Sequence, residues 1–273
     1  MIRDITLGQY YQGDSIVHKL DPRVKLISTI VYIVSLFLFT NHVVVYGLAF
    51  LFLAFCIFLS KVPVKFILRG LKAIVFLLLF TSVFNLFLTK GEPLVTVWKL
   101  TITKEGLVNS IFIAVRLMLL IVGSSLMTLT TTPNQLTDGL EKLLKPLQKI
   151  HVPVHEIAMM MSIALRFIPI LLEETDKIMK AQMARGADFE SGNLIKKIKA
   201  MIPLLVPLFI SAFRRANDLA MAMEARCYQG GDGRTKMKPL VYQKKDAVAY
   251  LILVLYMVLI CLTGKYVTLP FPF

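Results

Sequence analysis

Residues 43–59 read VVVYGLAFLFLAFCIFL, an apolar run without a single charged side chain. A helix lying on the surface of a soluble domain shows one apolar stripe and one polar face. This run is apolar on every face, so the medium around it must itself be apolar. Crossing the hydrocarbon of a bilayer takes about 20 such residues. Four further stretches repeat the pattern outward from it: Val24–Thr40, Leu71–Leu88, the stretch from about Leu107 to Leu129, and Ala247–Leu262. The whole chain has 273 residues, of which 56% are hydrophobic. Soluble domains hold about 45–50%, so composition and periodicity agree on an all-α integral membrane protein with about five spans.

The net charge of +14 is read in that light. In a soluble chain it would suggest nucleic acid, but no exposed aromatics or nucleic-acid module accompany the basic residues. Basic cytoplasmic loops explain it instead. Lys61, Lys65, Arg69 and Lys72 crowd the loop after the second span without an acid, whereas the Asn41-His42 turn has no Lys or Arg. The 89–106 loop mixes Lys90, Lys99 and Lys104 with Glu92 and Glu105. The positive-inside rule then puts the 60–72 loop and the N-terminus in the cytoplasm, with 89–106 outside. The alternating VTVWKLTIT at 95–103 suggests a small hairpin there. Cys56, Cys227 and Cys261 form no CxxC pair, which argues against a zinc or disulfide framework.

Beyond residue 132 the character changes. The chain divides into a membrane region at 1–132, a helical module at 133–245 and a last span at 246–273. TPNQLTDGLEKLLKPLQKI opens with a capping box: Thr132 as cap, Pro133 at the first position, Gln135 at the third. Leu136, Leu140, Leu143, Leu144, Leu147 and Ile150 form one apolar stripe, suited to a membrane surface or to neighbouring helices. Two long segments follow. Each starts apolar, turns charged, and closes on the same pattern: AQMARG at 181–186 and AMEARC at 222–227. Pro169 in the first and Pro203 and Pro207 in the second are expected to bend them. The 154–231 region thus reads as an antiparallel pair of long crossed helices. Their apolar halves, 154–172 and 201–213, suit spanning, dipping into or packing at the membrane.

The pattern Ala-x-x-Ala-Arg-small has a physical reading. Two alanines at i and i+3 share a helix face and let a partner approach closely. The arginine fork then meets a carboxylate on that partner, and the small residue lets the chain turn away. One such arginine alone reads first as a solvated cation at a helix C-terminus. Two in equivalent places make docking by Ala184, Arg185 and Gly186 and by Ala225, Arg226 and Cys227 as good a reading as that one.

Other residues carry two readings each. Asp21, Pro22 and Arg23, with Lys25, sit at the start of the first span, as an anchor to the cytoplasmic helices or a basic cluster on lipid headgroups. Arg116 lies inside the fourth span, where an arginine is functional by default, or snorkels or bonds helix-end carbonyls. Arg166 precedes Phe167-Ile168-Pro169 and is expected to tie two helices together. His151 and His155 are spaced like metal ligands, but Met159 stands where HExxH needs its second histidine; no metal site is expected. Met159, Met160 and Met161 start an adaptable apolar surface. GGDGRTK at 230–236 lacks the ending of a phosphate loop, so nucleotide binding is not supported.

Two signatures carry a family resemblance. GQYYQGDSIVHKLDPRVKL at 8–26 resembles Gly-x-Tyr…Gly-x-Ser-x-x-His-x-Leu-Asp-Pro-Arg-x-Lys-Leu of the transmembrane T component of energy-coupling factor transporters, the EcfT/CbiQ family. The arginine pair, with ALRFIPIL and PLLVPLFISAFRRANDLAMAMEAR, is similar to the same family over nearly the whole chain. One departure is visible: the family's second triplet ends in glycine, and Cys227 stands there. The resemblance implies an energy-coupling subunit of an ABC-type importer of vitamins or trace metals. It implies no catalytic residue, metal or cofactor in this chain. ATP and magnesium would sit on two cytoplasmic ATPase subunits of EcfA and EcfA' type, each taking one arginine tip. A membrane S component would capture the substrate. The competing reading, a conventional permease forming its own pathway, needs polar residues lining several spans; the first two are nearly pure hydrocarbon. A membrane enzyme needs paired acids or a His/acid cluster at depth, and the five spans show none.

Overall fold

The computed structural model describes residues 10–38, 43–89, 93–97, 100–187, 189, 194–231, 237 and 239–266. In chain order the elements are α1 (Pro22–Leu38), α2 (Val43–Ser60), α3 (Val64–Leu88), strands β1 (Pro93–Val97) and β2 (Leu100–Thr103), α4 (Lys104–Thr130), α5 (Pro133–Leu144), α6 (Val154–Ala184), α7 (Leu194–Glu224) and α8 (Lys244–Tyr266), with a 3₁₀ turn over 145–150. The strands pair antiparallel, so the alternation at 95–103 does make a hairpin on an otherwise helical chain. The Asn41-His42 turn and most of the 187–193 and 230–236 loops lie outside the described residues, as do Lys90, Glu92 and Lys99.

By length and composition α2, α4, α6 and α8 can each cross a membrane, and α3 joins them as a bent span. Its two parts, Val64–Lys72 and Ile74–Phe87, meet at 56°. The helix therefore starts well before the expected Leu71: Lys65, Arg69 and Lys72 of the basic segment lie in its first arm. The described part of α1 ends at Leu38, and the last two positions of the expected span lie outside the described residues.

The chain falls into two compact units. One comprises α1–α4, the hairpin, the start of α5 and α8; the other runs from Glu141 to Pro239. The division lies inside α5, not ahead of it at 133. The first unit has its core where α1, α2, α4 and α8 meet, around Tyr32, Leu36, Val45, Ala49, Leu53, Leu119, Leu126, Tyr256 and Ile260. Phe52 stacks on Tyr256 at 4.2 Å between ring centroids, and Ser35 Oγ bonds the Tyr256 hydroxyl at 2.9 Å and donates to the Tyr32 carbonyl. Gly123 allows α4 to reach this layer, since a Cβ there would stand 2.7 Å from Tyr32. Away from that seam the spans expose bulky apolar groups, Phe58 at 82% and Phe76 at 80%. In water such a surface would drive aggregation; in lipid it costs nothing.

At α5 the capping box forms as expected: Thr132 N–H donates to Gln135 Oε1 at 3.2 Å, and Gln135 N–H to Thr132 Oγ1 at 3.3 Å. Gly139 packs α5 against the start of α1, where an added Cβ would meet Pro22 at 3.0 Å. The helix does not run to Ile150, however. Pro146 has no N–H for the i−4 carbonyl, and the chain tightens into the 3₁₀ turn. Leu140, Leu144, Leu147 and Ile150 of the stripe remain exposed.

Candidate functional site

Both arginine tips end their helices in the same hydrogen-bonded turn. At the first, Arg185 N–H bonds the Gln182 carbonyl, Gly186 N–H that of Met183, and Ala187 N–H returns to Gln182. At the second, Arg226 N–H bonds Met223, Cys227 N–H bonds Glu224, and Tyr228 N–H returns to Met223. The offsets are identical. They are those of a Schellman closure, in which the residue after the cap turns left-handed so that two orphan carbonyls are satisfied. Gly186 adopts φ +88° and Cys227 φ +56°. The missing glycine therefore does not alter the turn: Cys227 accepts a backbone region that costs an L-residue roughly 1–2 kcal/mol. All six residues, Ala184 to Gly186 and Ala225 to Cys227, are exposed. In each turn the reversal leaves the arginine standing at the very end of the helix.

The crossing of α6 and α7 sets how these ends are disposed. Gln182 Nε2 donates to the Pro203 carbonyl at 3.4 Å. Eight residues back on α6, Glu174 accepts from Ser211, and Arg215 adds two bonds to it at 2.8 and 3.2 Å. As one residue number falls the other rises, so the helices run antiparallel. Both helices end in an arginine, so the two tips point to opposite ends of the pair. At 1.5 Å per residue they stand up to roughly 40 Å apart. Pro169, Pro203 and Pro207 all lie inside continuous helices.

Arg166, expected to tie helices together, is exposed and makes no polar contact among the described residues. The tie belongs to Glu174, Ser211 and Arg215, which sequence reasoning missed. A glutamate among many on a charged helix half gives no signal by itself; only its partners 37 and 41 residues away do.

The N-terminal signature proves to be a packed polar knot. Gly13 lies under the His18 ring, where a Cβ would come within 3.1 Å. Ser15 Oγ pairs with His18 Nδ1 at 2.6 Å, and His18 Nε2 pairs with the Tyr11 carbonyl at 3.0 Å. Burial lowers the His18 pKa below its ordinary value, outweighing that carbonyl, with Lys25 adding to the effect. Asp21 caps α1, accepting from the Arg23 backbone at 2.9 Å and from its guanidinium at 3.0 and 2.7 Å. Burial pushes the Asp21 carboxyl up, but the Arg23 bonds and charge outweigh it and hold the group below the usual carboxylate range. Arg23 also lies 3.7 Å over the Tyr242 ring and reaches the Leu240 carbonyl. Asp246, 2% exposed, receives the Asp21 N–H at 2.9 Å and that of Gln243 at 2.7 Å. One carboxylate thus caps α8 and fastens it to α1. Lys25 Nζ donates to the carbonyls of His18 and Thr130 at 3.1 and 2.8 Å, binding the end of α4. Asp21 and Lys25 are buried, so this cluster is an internal anchor joining α1, α4 and α8 and not a headgroup-facing patch.

Arg116 donates to the Tyr46 hydroxyl at 2.8 Å and lies 5.7 Å from the Phe37 ring centroid. It bonds α4 to α2. His155 Nδ1 meets Glu141 at 3.0 Å, and Gly231 sits against the ring. Among the described residues no group of three or more His, Cys, Asp or Glu is placed to hold a metal.

Residues 13–237 match the family model described as cobalt transport protein, CbiQ. The energy-coupling factor transporter transmembrane protein EcfT of Clostridium kluyveri is 57% identical over 265 residues, 96% of this chain and 97% of that protein. Its namesake from Bacillus subtilis is 51% identical over 90% of this chain and 93% of its own length. That of Lactococcus lactis is 46% identical over 97% and 99%. Among the described residues, four helices long and apolar enough to cross a membrane, with the bent α3 as a fifth, accord with these relatives in describing a multi-pass membrane transport subunit.

Proposed function

The chain belongs to the EcfT family of energy-coupling factor transporter transmembrane proteins, and from that premise we propose that its two arginine tips dock two cytoplasmic ATPase subunits. The observation that carries the proposal is the pair of matching turns, each presenting one exposed arginine, at opposite ends of one antiparallel helix pair. A single docking arginine could serve one partner. Two, aimed apart by up to roughly 40 Å, suit a dimer with one groove per subunit. Arg185 and Arg226 would each fork onto a groove carboxylate. Ala184 and Ala225 would let the groove wall close on the helix, while Gly186 and Cys227 carry the chain out.

In this reading the N-terminus and both tips face the cytoplasm, in keeping with the basic 60–72 segment. ATP and magnesium bind the partners. Their closure displaces the tips, α6 and α7 carry the displacement, and a substrate-capturing membrane S component responds by releasing a vitamin or other micronutrient inside. This chain hydrolyses nothing itself. The test is the double variant Arg185→Ala/Arg226→Ala, purified from membranes beside the wild type. The variant should insert normally, lose the co-purifying ATPases and support no uptake. Retention of both ATPases with normal uptake would sink the docking role.

A further inference from the structure

The contact between α6 and α7 holds more than apolar packing. Pro207 has no N–H, so the Pro203 carbonyl four residues earlier has no helical partner. Gln182 fills that vacancy with its side-chain amide at 3.4 Å. Gln182 is also the residue whose backbone carbonyl accepts from both Arg185 and Ala187 in the first tip. One residue therefore closes the docking turn with its main chain and grips the proline segment of α7 with its side chain. The second grip is Glu174, which takes Ser211 and the Arg215 fork at once. Its side chain is 22% exposed and that of Arg215 is 41%, so this charge pair is partly withdrawn from solvent. The grips are eight residues apart on both helices, about 12 Å along each axis.

Two rods fastened at one point pivot about it. Fastened at two points 12 Å apart they keep their crossing angle. Apolar side chains do not do this well, because dispersion and the hydrophobic effect are non-directional and permit sliding. Two N–H groups of the planar Arg215 guanidinium on Glu174 Oε2, with Ser211 on the other oxygen, impose an orientation. We propose that Gln182 and Glu174 form a two-point polar clamp that locks α6 and α7 into a single lever, so that displacement of either arginine tip moves both helices together. This rests on the docking role proposed above. Gln182 and Glu174 are positioning residues: they act through the tips and touch no ligand.

The test uses two readouts. In the first, the full chain in lipid nanodiscs, with Cys56→Ser and Cys261→Ser, carries spin labels on Cys227 and on Ala184→Cys. Its tip-to-tip distance is measured by pulsed dipolar spectroscopy. The clamped chain should give one narrow distribution; Glu174→Gln/Gln182→Ala should at least double its width, and Arg215→Lys, which keeps the charge but loses the fork, should broaden it less. In the second, the complete complex with its ATPases and S component is reconstituted in vesicles. The double variant should still assemble and hydrolyse ATP but move about tenfold less substrate per ATP, with the exposed neighbour change Arg214→Gln as a neutral control. Equal widths in the first measurement overturn the clamp. Broad distances with undiminished transport per ATP overturn its coupling role. Failure of the unsubstituted chain to bind ATPases defeats the docking role instead, and the distance measurement still decides the clamp.

Discussion

Exchanging the residues that follow the two arginines tests the reading of the tips at the level of backbone energy. Gly186 and Cys227 occupy equivalent places in one turn, at φ +88° and +56°. A Cβ built on Gly186 meets nothing within 4 Å, so a side chain there costs backbone strain and no clash. That strain is roughly 1–2 kcal/mol for an L-residue, partly offset by about 0.4–1 kcal/mol because glycine has more freedom to lose in the open chain. The net is about 1 kcal/mol, or close to a fivefold change in the local opening equilibrium. Cys227→Gly should therefore tighten its turn by that amount, and Gly186→Ala should loosen the other equally. The reporters are the amides of Tyr228 and Ala187, which bond Met223 and Gln182 only when the turns are closed. Hydrogen exchange in nanodiscs should show protection rising about fivefold at Tyr228 in the first variant and falling about fivefold at Ala187 in the second. Unchanged protection at Tyr228 after Cys227→Gly would refute the claim that Cys227 holds a strained copy of a glycine turn.

Two further outcomes follow from the membrane unit. Asp21 has a depressed pKa, so it supplies stability that is present above the ordinary carboxylate range near 4 and is lost as pH falls through its lower folded value. Thermal unfolding of wild type and Asp21→Asn should therefore differ most at neutral pH and converge below about pH 4; a constant gap would contradict the ion-pair assignment. Gly123→Ala would place a methyl group 2.7 Å from the Tyr32 ring, forcing α4 or the stacked aromatics to shift at a cost of about 1–3 kcal/mol, read as a lower midpoint in a thermal scan of the detergent-solubilised chain.

Much of the fold was legible because the signals are local. A span announces itself by uniform apolarity, as α2 and α8 did. The capping box of α5 depends on Thr132 and Gln135, three residues apart, and formed as the spacing foretold. The 3₁₀ turn was overlooked although Pro146 stood in plain view, because the leucine stripe continues past it and a periodic pattern conceals a missing N–H. The early start of α3 was hidden by its charges: Lys65 and Lys72 read as loop residues, yet a lysine stem suits a helix end near a membrane surface. Arg166 misled for the opposite reason. Its place between apolar residues suggested a tie, but nothing in a sequence says which face of a long helix its neighbour will cover.

What the sequence determined by itself was which segments are helical, how α5 is capped, and that two helices close on an exposed arginine. Those features rest on bonds spanning three to five residues, and such bonds are written in adjacent letters. Only the tertiary structure decided which polar groups meet: Asp246 with the Asp21 backbone across 225 residues, Glu174 with Ser211 and Arg215 across the α6–α7 crossing. It also decided that the two tips point apart, since antiparallel packing sends the C-termini of successive helices to opposite ends. And it decided that Cys227 turns as glycine would, because the demand for two satisfied carbonyls at the end of α7 outweighs the strain on one residue.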